Sequence, residues 1–155
     1  MDAAKHLKAM FLFKDLPEAA LRQVAQAAEA HTAQHGEVIV QENRPSTALY
    51  LIVSGSCRVH KEKEGDARNV VTLGAGSYFG EAALLDDAPR SASVTANEKS
   101  ELLVLQASRL RARLDGDHEA GHHVYRALAT SLARRLRQTT DDLAFARALV
   151  AERSR

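Results

Sequence analysis

The sequence predicts a mainly β protein, an antiparallel jelly-roll (double-stranded β-helix) barrel with N-terminal helices before it and a long C-terminal helix after it. Three observations predict this. Short β-rich runs separated by glycines fill the middle of the chain. Helical spacing of apolar residues precedes them, and a long segment free of proline follows them. The expected division is a single domain, with helices over 1–30, the barrel over 31–106 and helices over 107–155.

In the first part, Leu7, Phe11 and Phe13 read as helical, and Leu16-Pro17-Glu18 opens a second helix. Pro17 suits a first-turn position, where a missing N–H loses nothing. Leu21, Val24, Ala25 and Ala28 continue at helical spacing. In the middle part the strand candidates are Glu37–Gln41, Ala48–Ser54, Cys57–Lys63, Asn69–Leu73, Ser91–Ala96 and Glu101–Leu105. Gly36, Gly55, Gly65, Gly74 and Gly76 stand between them where turns are needed. Glu64-Gly65-Asp66 is expected at the tip of a long hairpin.

In the last part a short segment around Leu110 and Leu114 ends at Asp115-Gly116-Asp117. A helix then runs from about His118 towards Arg153, with no glycine after Gly121. Ala129, Leu132, Leu136, Thr139, Leu143, Ala146 and Val150 alternate in steps of three and four, which is a heptad seam. Such a helix, at about 1.5 Å per residue, outruns what so small a domain needs for its own cover. A two-chain coiled coil, hence a homodimer through this helix, is the expectation.

Composition narrows the function. The 155 residues carry 21 Lys and Arg against 20 Asp and Glu, a formal net charge of +1. That balance argues against non-specific binding to nucleic acid or an acidic membrane, which excess positive charge drives. A single cysteine, Cys57, excludes an internal disulfide and a thiolate-only zinc site. The longest apolar run, Ala48–Val53, is far short of a membrane span. The N-terminus has neither a long apolar core nor a small-residue cleavage site, so a cytoplasmic protein is the default. His118 and His122 have a metal-ligand spacing but no third ligand is identifiable, so no metal is expected. No nucleophile–base pair or P-loop appears, so no catalytic residue and no enzyme activity are expected.

One string carries chemistry: Phe79-Gly80-Glu81-Ala82-Ala83-Leu84-Leu85-Asp86-Asp87-Ala88-Pro89-Arg90-Ser91-Ala92. Gly80 permits a tight turn, and Glu81 to Leu85 can form one helical turn with free N–H groups at its start. Such donors favour an anion. Pro89 stiffens the return and Arg90 brings a permanent charge to the same place. Glu81, a carboxylate beside an anion site, makes sense if it accepts hydrogen bonds from hydroxyls of the same ligand. The residues alone thus ask for one anionic group with a hydroxyl close by. The bland alternative is that Glu81 stabilises its own helix start and Arg90 pairs with Asp86 or Asp87.

The string over 79–92 resembles the phosphate-binding cassette of the cyclic-nucleotide-binding domain family, which includes the catabolite-activator (cyclic-AMP receptor) proteins and the regulatory subunits of cyclic-AMP-dependent kinase. Gly36-Glu37-Val38-Ile39, Leu51-Ile52-Val53-Ser54-Gly55 and Leu73-Gly74-Ala75-Gly76-Ser77-Tyr78 resemble the flanking strands and turns. The resemblance implies a ligand, cyclic AMP or cyclic GMP, and no other cofactor. It implies that Arg90 neutralises the cyclic phosphate and that Glu81 with the Gly80 backbone holds the ribose 2′-hydroxyl. The N–H groups of Ala83 and Ser91 would take phosphate oxygens, the Ser91 hydroxyl adding a contact. Ala133 to Asp141 is similar to the catabolite-activator dimer helix, whose hydroxyl pair reads adenine, so Thr139 and Thr140 are the implied pair here. The implied contact set is Gly80, Glu81, Ala82, Ala83, Arg90, Ser91, Ala92, Thr139 and Thr140. Val53, Val71 and Leu73 are candidate pocket walls, with plain core as the leading alternative for each. Arg135 is within reach of the ligand or Glu81, whereas Arg134 and Arg137 read as a solvated face.

The catabolite-activator proteins continue past this helix into a helix-turn-helix, whereas this sequence ends at Arg155. Direct DNA binding is therefore not expected. A stand-alone cyclic-AMP sensor acting on an unidentified downstream protein is the leading expectation, favoured by Met1 and the charged tail Ala151 to Arg155. The alternatives are a regulatory piece of a larger transcription factor, channel or transporter, and a nucleotide-free structural dimer.

Overall fold

The computed structural model describes residues 1–45, 47–62 and 69–154, without the side chains of 69 and 70. The expected hairpin tip Glu64-Gly65-Asp66 lies outside the described residues. Two helices open the chain, α1 (Ala3–Lys8) and α2 (Glu18–Ala27), and Pro17 stands as the N-cap of α2, just ahead of its first helical residue. The strands are β1 (Ala28–Ala33), β2 (Val38–Val40), β3 (Ala48–Ser54), β4 (Ser56–His60), β5 (Asn69–Gly74), β6 (Tyr78–Phe79), β7 (Ser93–Ala96) and β8 (Ser100–Gln106). Then come α3 (Ala107–Asp115) and α4 (His118–Arg153).

The strands form two antiparallel four-stranded sheets, ordered β1-β8-β3-β6 and β2-β7-β4-β5. The expected jelly roll is present, as a sandwich of two sheets rather than a barrel closed by hydrogen bonds all round. The N-terminal boundary needs a correction. Helix stops at Ala27, and Ala28 to Ala33 pair with β8 from Ala28↔Leu105 to Ala33↔Ser100. Alanine favours helix locally, but pairing with a central strand overrides that preference.

Side-chain alternation explains the layers. In β3, Leu49 and Leu51 point to a core shared with the helices, whereas Ile52 and the partly buried Tyr50 point between the sheets. In β8, Leu103 and Leu105 join the helical core and Leu102 the inner one. This sheet is covered on both faces, so its central strands read as continuous apolar runs. The helical core gathers Leu7, Phe13, Val24, Leu110, Leu114, Val124 and Leu128 against it. Cys57 is fully buried in the inner core, and burial pushes its thiol pKa up, away from reactivity.

Gly55 joins β3 to β4 with φ +90°, and a Cβ there would lie 2.3 Å from Ser100 Oγ and 2.8 Å from Lys99 O. Only glycine fits this turn. At the other end, α4 starts on a cap in which the Asp117 side chain accepts from Ala120 N at 3.1 Å. Its first turns bury Ala120, Val124 and Leu128, and from Ala133 to the end of the helix every side chain is exposed. No helix among the described residues is long and apolar enough to cross a membrane.

Candidate functional site

The cassette begins where β6 ends. Gly80 takes φ +83°, and Glu81–Leu84 form a single 3-10 turn behind it. A Cβ on Gly80 would stand 2.5 Å from Ala48 O and 2.4 Å from Arg90 Nη1, so the absent side chain is what lets Arg90 pass. The return segment is held by the β2–β3 loop. Arg90 N donates to Arg44 O at 2.9 Å, and Asn43 N donates to Arg90 O at 2.8 Å. Asp86 Oδ1 accepts from Ala88 N at 3.1 Å, which shapes the bend before Pro89.

The two charged residues expected to act together do line one cavity. It measures about 350 Å3 and is bounded by Gly80, Glu81, Arg90, Ser91 and Arg135 on the polar side, with Val40, Val59, Phe79 and Val94 as apolar wall. That volume lies in the about 300–1,000 Å3 range of small-molecule sites. Arg90 is half-buried, donates from Nη2 to Ala48 O at 2.7 Å and lies over the Tyr50 ring, 5.9 Å from its centre. Tyr50 is itself stacked on Phe79, with ring centres 5.0 Å apart. Among the described residues Arg90 makes no ion pair within 4 Å, so neither Asp86 nor Asp87 neutralises it. Asp87 instead faces Arg111 at 3.7 Å. Burial pushes the Arg90 pKa down, partly offset by Tyr50 and Glu81.

Glu81 is buried, 7% exposed, and forms an ion pair through Oε1 with Arg135 of α4. The guanidinium of Arg135 also lies over Tyr78, 5.5 Å from the ring centre. Arg135 is the residue that the expected contact set left out, and its signal was present, since it precedes Thr139 by one helical turn. Among the other expected contacts, Ala82 is exposed and Ala92 half-buried at the cavity. Ala83 is fully buried, and its N–H is engaged with Gly80 O at 3.1 Å as the bond that closes the turn. Ser91 is exposed at the cavity edge, and its carbonyl accepts from Lys61 Nζ.

Two sets of residues are not brought to the site within a single chain. Thr139 and Thr140 lie on the exposed part of α4, where Thr140 Oγ1 donates back to Leu136 O at 2.8 Å. Of the candidate walls, Val53 takes the alternative role of plain core, whereas Val71 is neither wall nor core. Val53 follows Leu49 and Leu51 on the helical face of β3 and packs with that core, and Val71 is 46% exposed. Leu73 packs at the inner core but does not line the cavity. His118 and His122 lie at a separate surface hollow, and among the described residues no three metal-ligating side chains come together.

A guanidinium with no ion-pair partner among the described residues and a buried carboxylate, on one apolar-walled cavity of a jelly roll, suit a small anion that also carries hydroxyls. Residues 30–117 match the cyclic nucleotide-binding domain family, and the chain belongs to that family. It is 36% identical over 99 residues to the cAMP-dependent protein kinase regulatory subunit of Yarrowia lipolytica, covering 64% of this chain and 26% of that protein. It is 32% identical over 94 residues to human cGMP-dependent protein kinase 2, covering 59% of this chain and 12% of the kinase. Among solved structures, the Thermus thermophilus Catabolite Activator Protein superposes with a TM-score of 0.75 at 32% identity, over 87% of this chain and 62% of that one. The match thus spans about a fifth to a quarter of the length of the kinase regulatory subunits.

Proposed function

We propose that this chain is a cyclic-AMP sensor, regulatory rather than catalytic, that works in the cytoplasm as a homodimer. The observation that carries the reading is the half-buried Arg90 guanidinium, with no ion-pair partner within 4 Å among the described residues, on the same cavity as Glu81. A cyclic phosphate supplies the missing charge, and a fork of N–H donors suits two of its oxygens. The ribose 2′-hydroxyl then donates to Glu81. Cyclic AMP is preferred over cyclic GMP because Ser91 at the phosphate and the threonine pair Thr139 and Thr140 at the base match a ligand read by hydroxyls. The kinship with a cAMP-dependent kinase subunit supports cyclic AMP, and that with a cGMP-dependent kinase makes cyclic GMP the ligand to test against it.

The base would be reached by α4. Leu136, Leu143 and Val150 are 68%, 50% and 65% exposed on that helix at heptad spacing, which a second copy of the chain would cover. Dimerisation lets the threonine pair Thr139 and Thr140 reach the base from both chains. The ligand changes the posture of α4 only to the extent that it binds the closed form more tightly than the open one. The altered helix pair is then the signal to a separate downstream protein.

Thermal shift tests the ligand directly. Cyclic AMP at 100 times its Kd is expected to add about 2.7 kcal/mol of stability, about 5–10 °C in Tm for a chain of this size. Cyclic GMP at the same concentration is expected to shift Tm less, and 5′-AMP not at all. No shift with any cyclic nucleotide would overturn the proposal. The dimer has its own test. The double substitution Leu136→Glu with Leu143→Glu is expected to reduce the sedimenting species from twice the single-chain mass to the single chain, with the β-sheet circular dichroism retained. A wild-type protein that already sediments as one chain at high micromolar concentration would remove the dimer from the proposal.

A further inference from the structure

Arg135 meets Glu81 from 54 positions away in the chain, and two other side chains fix where it stands. One turn earlier on the same helical face, Ser131 Oγ and the Tyr78 hydroxyl form a hydrogen bond of 2.6 Å. Tyr78 is 8% exposed, and its ring carries the Arg135 guanidinium above it, 5.5 Å from the centre. One aromatic side chain therefore touches α4 at two successive turns, while its backbone leads through Phe79 and Gly80 into Glu81. Beside it on α4, the Arg134 guanidinium lies over the Phe11 ring, 5.2 Å from its centre.

We propose that Tyr78 and Ser131 are positioning residues for sugar recognition: their hydroxyl pair sets α4 so that Arg135 engages one oxygen of Glu81 and leaves the other for the ribose 2′-hydroxyl. This inference rests on the cyclic-nucleotide reading of the site. The physical need is local. A buried carboxylate beside a phosphate is opposed by desolvation and by like charge, and both are relieved when a guanidinium pairs with it. The ion pair runs through Oε1 of Glu81. A carboxylate has about four acceptor positions over its two oxygens, so Oε2 remains available to a donor hydroxyl. Arg135 thus supports the sugar contact instead of blocking it, provided α4 keeps its register on Tyr78. Without the hydroxyl pair, the ring and the helix are free to shift, and Glu81 loses its partner at the moment the phosphate arrives.

The test compares two ligands that differ by the hydroxyl in question. Cyclic AMP and 2′-deoxy cyclic AMP are titrated into wild type, Tyr78→Phe, Ser131→Ala, Ser131→Thr and the Tyr78→Phe/Ser131→Ala double variant. Tyr78→Phe and Ser131→Ala are each expected to weaken cyclic AMP by about three- to tenfold, the loss of one hydrogen bond's worth of positioning. The deoxy ligand is expected to bind all variants alike, the double variant to be no weaker than either single one, and Ser131→Thr to restore cyclic AMP affinity. Equal losses for both ligands, no loss, or tighter binding of cyclic AMP would each overturn the inference. Wild type that binds neither ligand would instead overturn the cyclic-nucleotide reading itself, so the two failures are distinguishable.

Discussion

Replacing Arg90 with alanine is expected to weaken cyclic AMP by one and a half to three and a half decades while leaving the empty protein about as stable as before. The affinity loss follows from truncating one side of a desolvated charge pair, about 2–5 kcal/mol at about 1.4 kcal/mol per decade. The unchanged stability follows from the empty site. The guanidinium is half-buried and donates to Ala48 O at 2.7 Å, and among the described residues it has no carboxylate within ion-pair distance. Removing it relieves a desolvated charge and leaves one backbone acceptor short of a donor, two effects of similar size and opposite sign. Calorimetric titration with a parallel melting curve reads both quantities. A variant that melts far below wild type would make Arg90 a structural residue, and one that titrates like wild type would remove it from the ligand site.

A second large effect is expected at Gly80, with Gly55 as its control. Both glycines sit at strongly positive φ, +83° and +90°, and at both a Cβ would come within 3.0 Å of backbone. A non-glycine residue in such a conformation costs about 1–3 kcal/mol before any clash is counted. Gly80→Ala and Gly55→Ala are each therefore expected to lower Tm by at least about 2–12 °C. Their effects on binding should part. At Gly80 the new methyl meets Arg90 Nη1 and Ala48 O, the same pair of groups that holds the guanidinium at the cavity. At Gly55 it meets Ser100 and Lys99, away from the cassette. Gly80→Ala should lose about tenfold or more in cyclic AMP affinity, equivalent to about 1.4 kcal/mol, and Gly55→Ala almost none. Equal affinity losses in the two variants would mean that general destabilisation, and not the Gly80–Arg90 fit, controls the site.

The parts of the molecule legible in its sequence are those whose determinants lie close together in the chain. Gly80, Glu81 and Arg90 fall within one short segment, so turn chemistry and charge make their meeting at a cavity one of two readings, and the resemblance of the whole string 79–92 to a phosphate-binding cassette selects it. The strands β3 and β8 were legible because a doubly covered strand must be apolar throughout. β1 was not, because Ala28-Glu29-Ala30-His31-Thr32-Ala33 has little apolar content of its own and becomes a strand by pairing with β8. The cavity walls were missed for a related reason. Strand alternation keeps Val53 on the helical side with Leu49 and Leu51, while the wall is built from Val40, Val59 and Val94 on other strands. The Glu81–Arg135 pair was visible only as a reach, since nothing in the helix pattern states which turn of α4 docks on the cassette. The Tyr78–Ser131 bond answers that, and it joins residues 53 apart.

The central claim is that Arg90 and Glu81 grip one cyclic nucleotide from its phosphate and its sugar inside the cavity beneath the cassette. A crystal structure with a phosphorothioate analogue of cyclic AMP tests it most directly, because anomalous scattering from sulfur locates the phosphate independently of the modelling of the sugar and base. The expected result is the sulfur-bearing phosphate within hydrogen-bond distance of the Arg90 guanidinium and the Ser91 backbone, with the ribose 2′-hydroxyl on Glu81. A nucleotide bound elsewhere, with Arg90 still on the Ala48 carbonyl and the cavity unfilled, would contradict it.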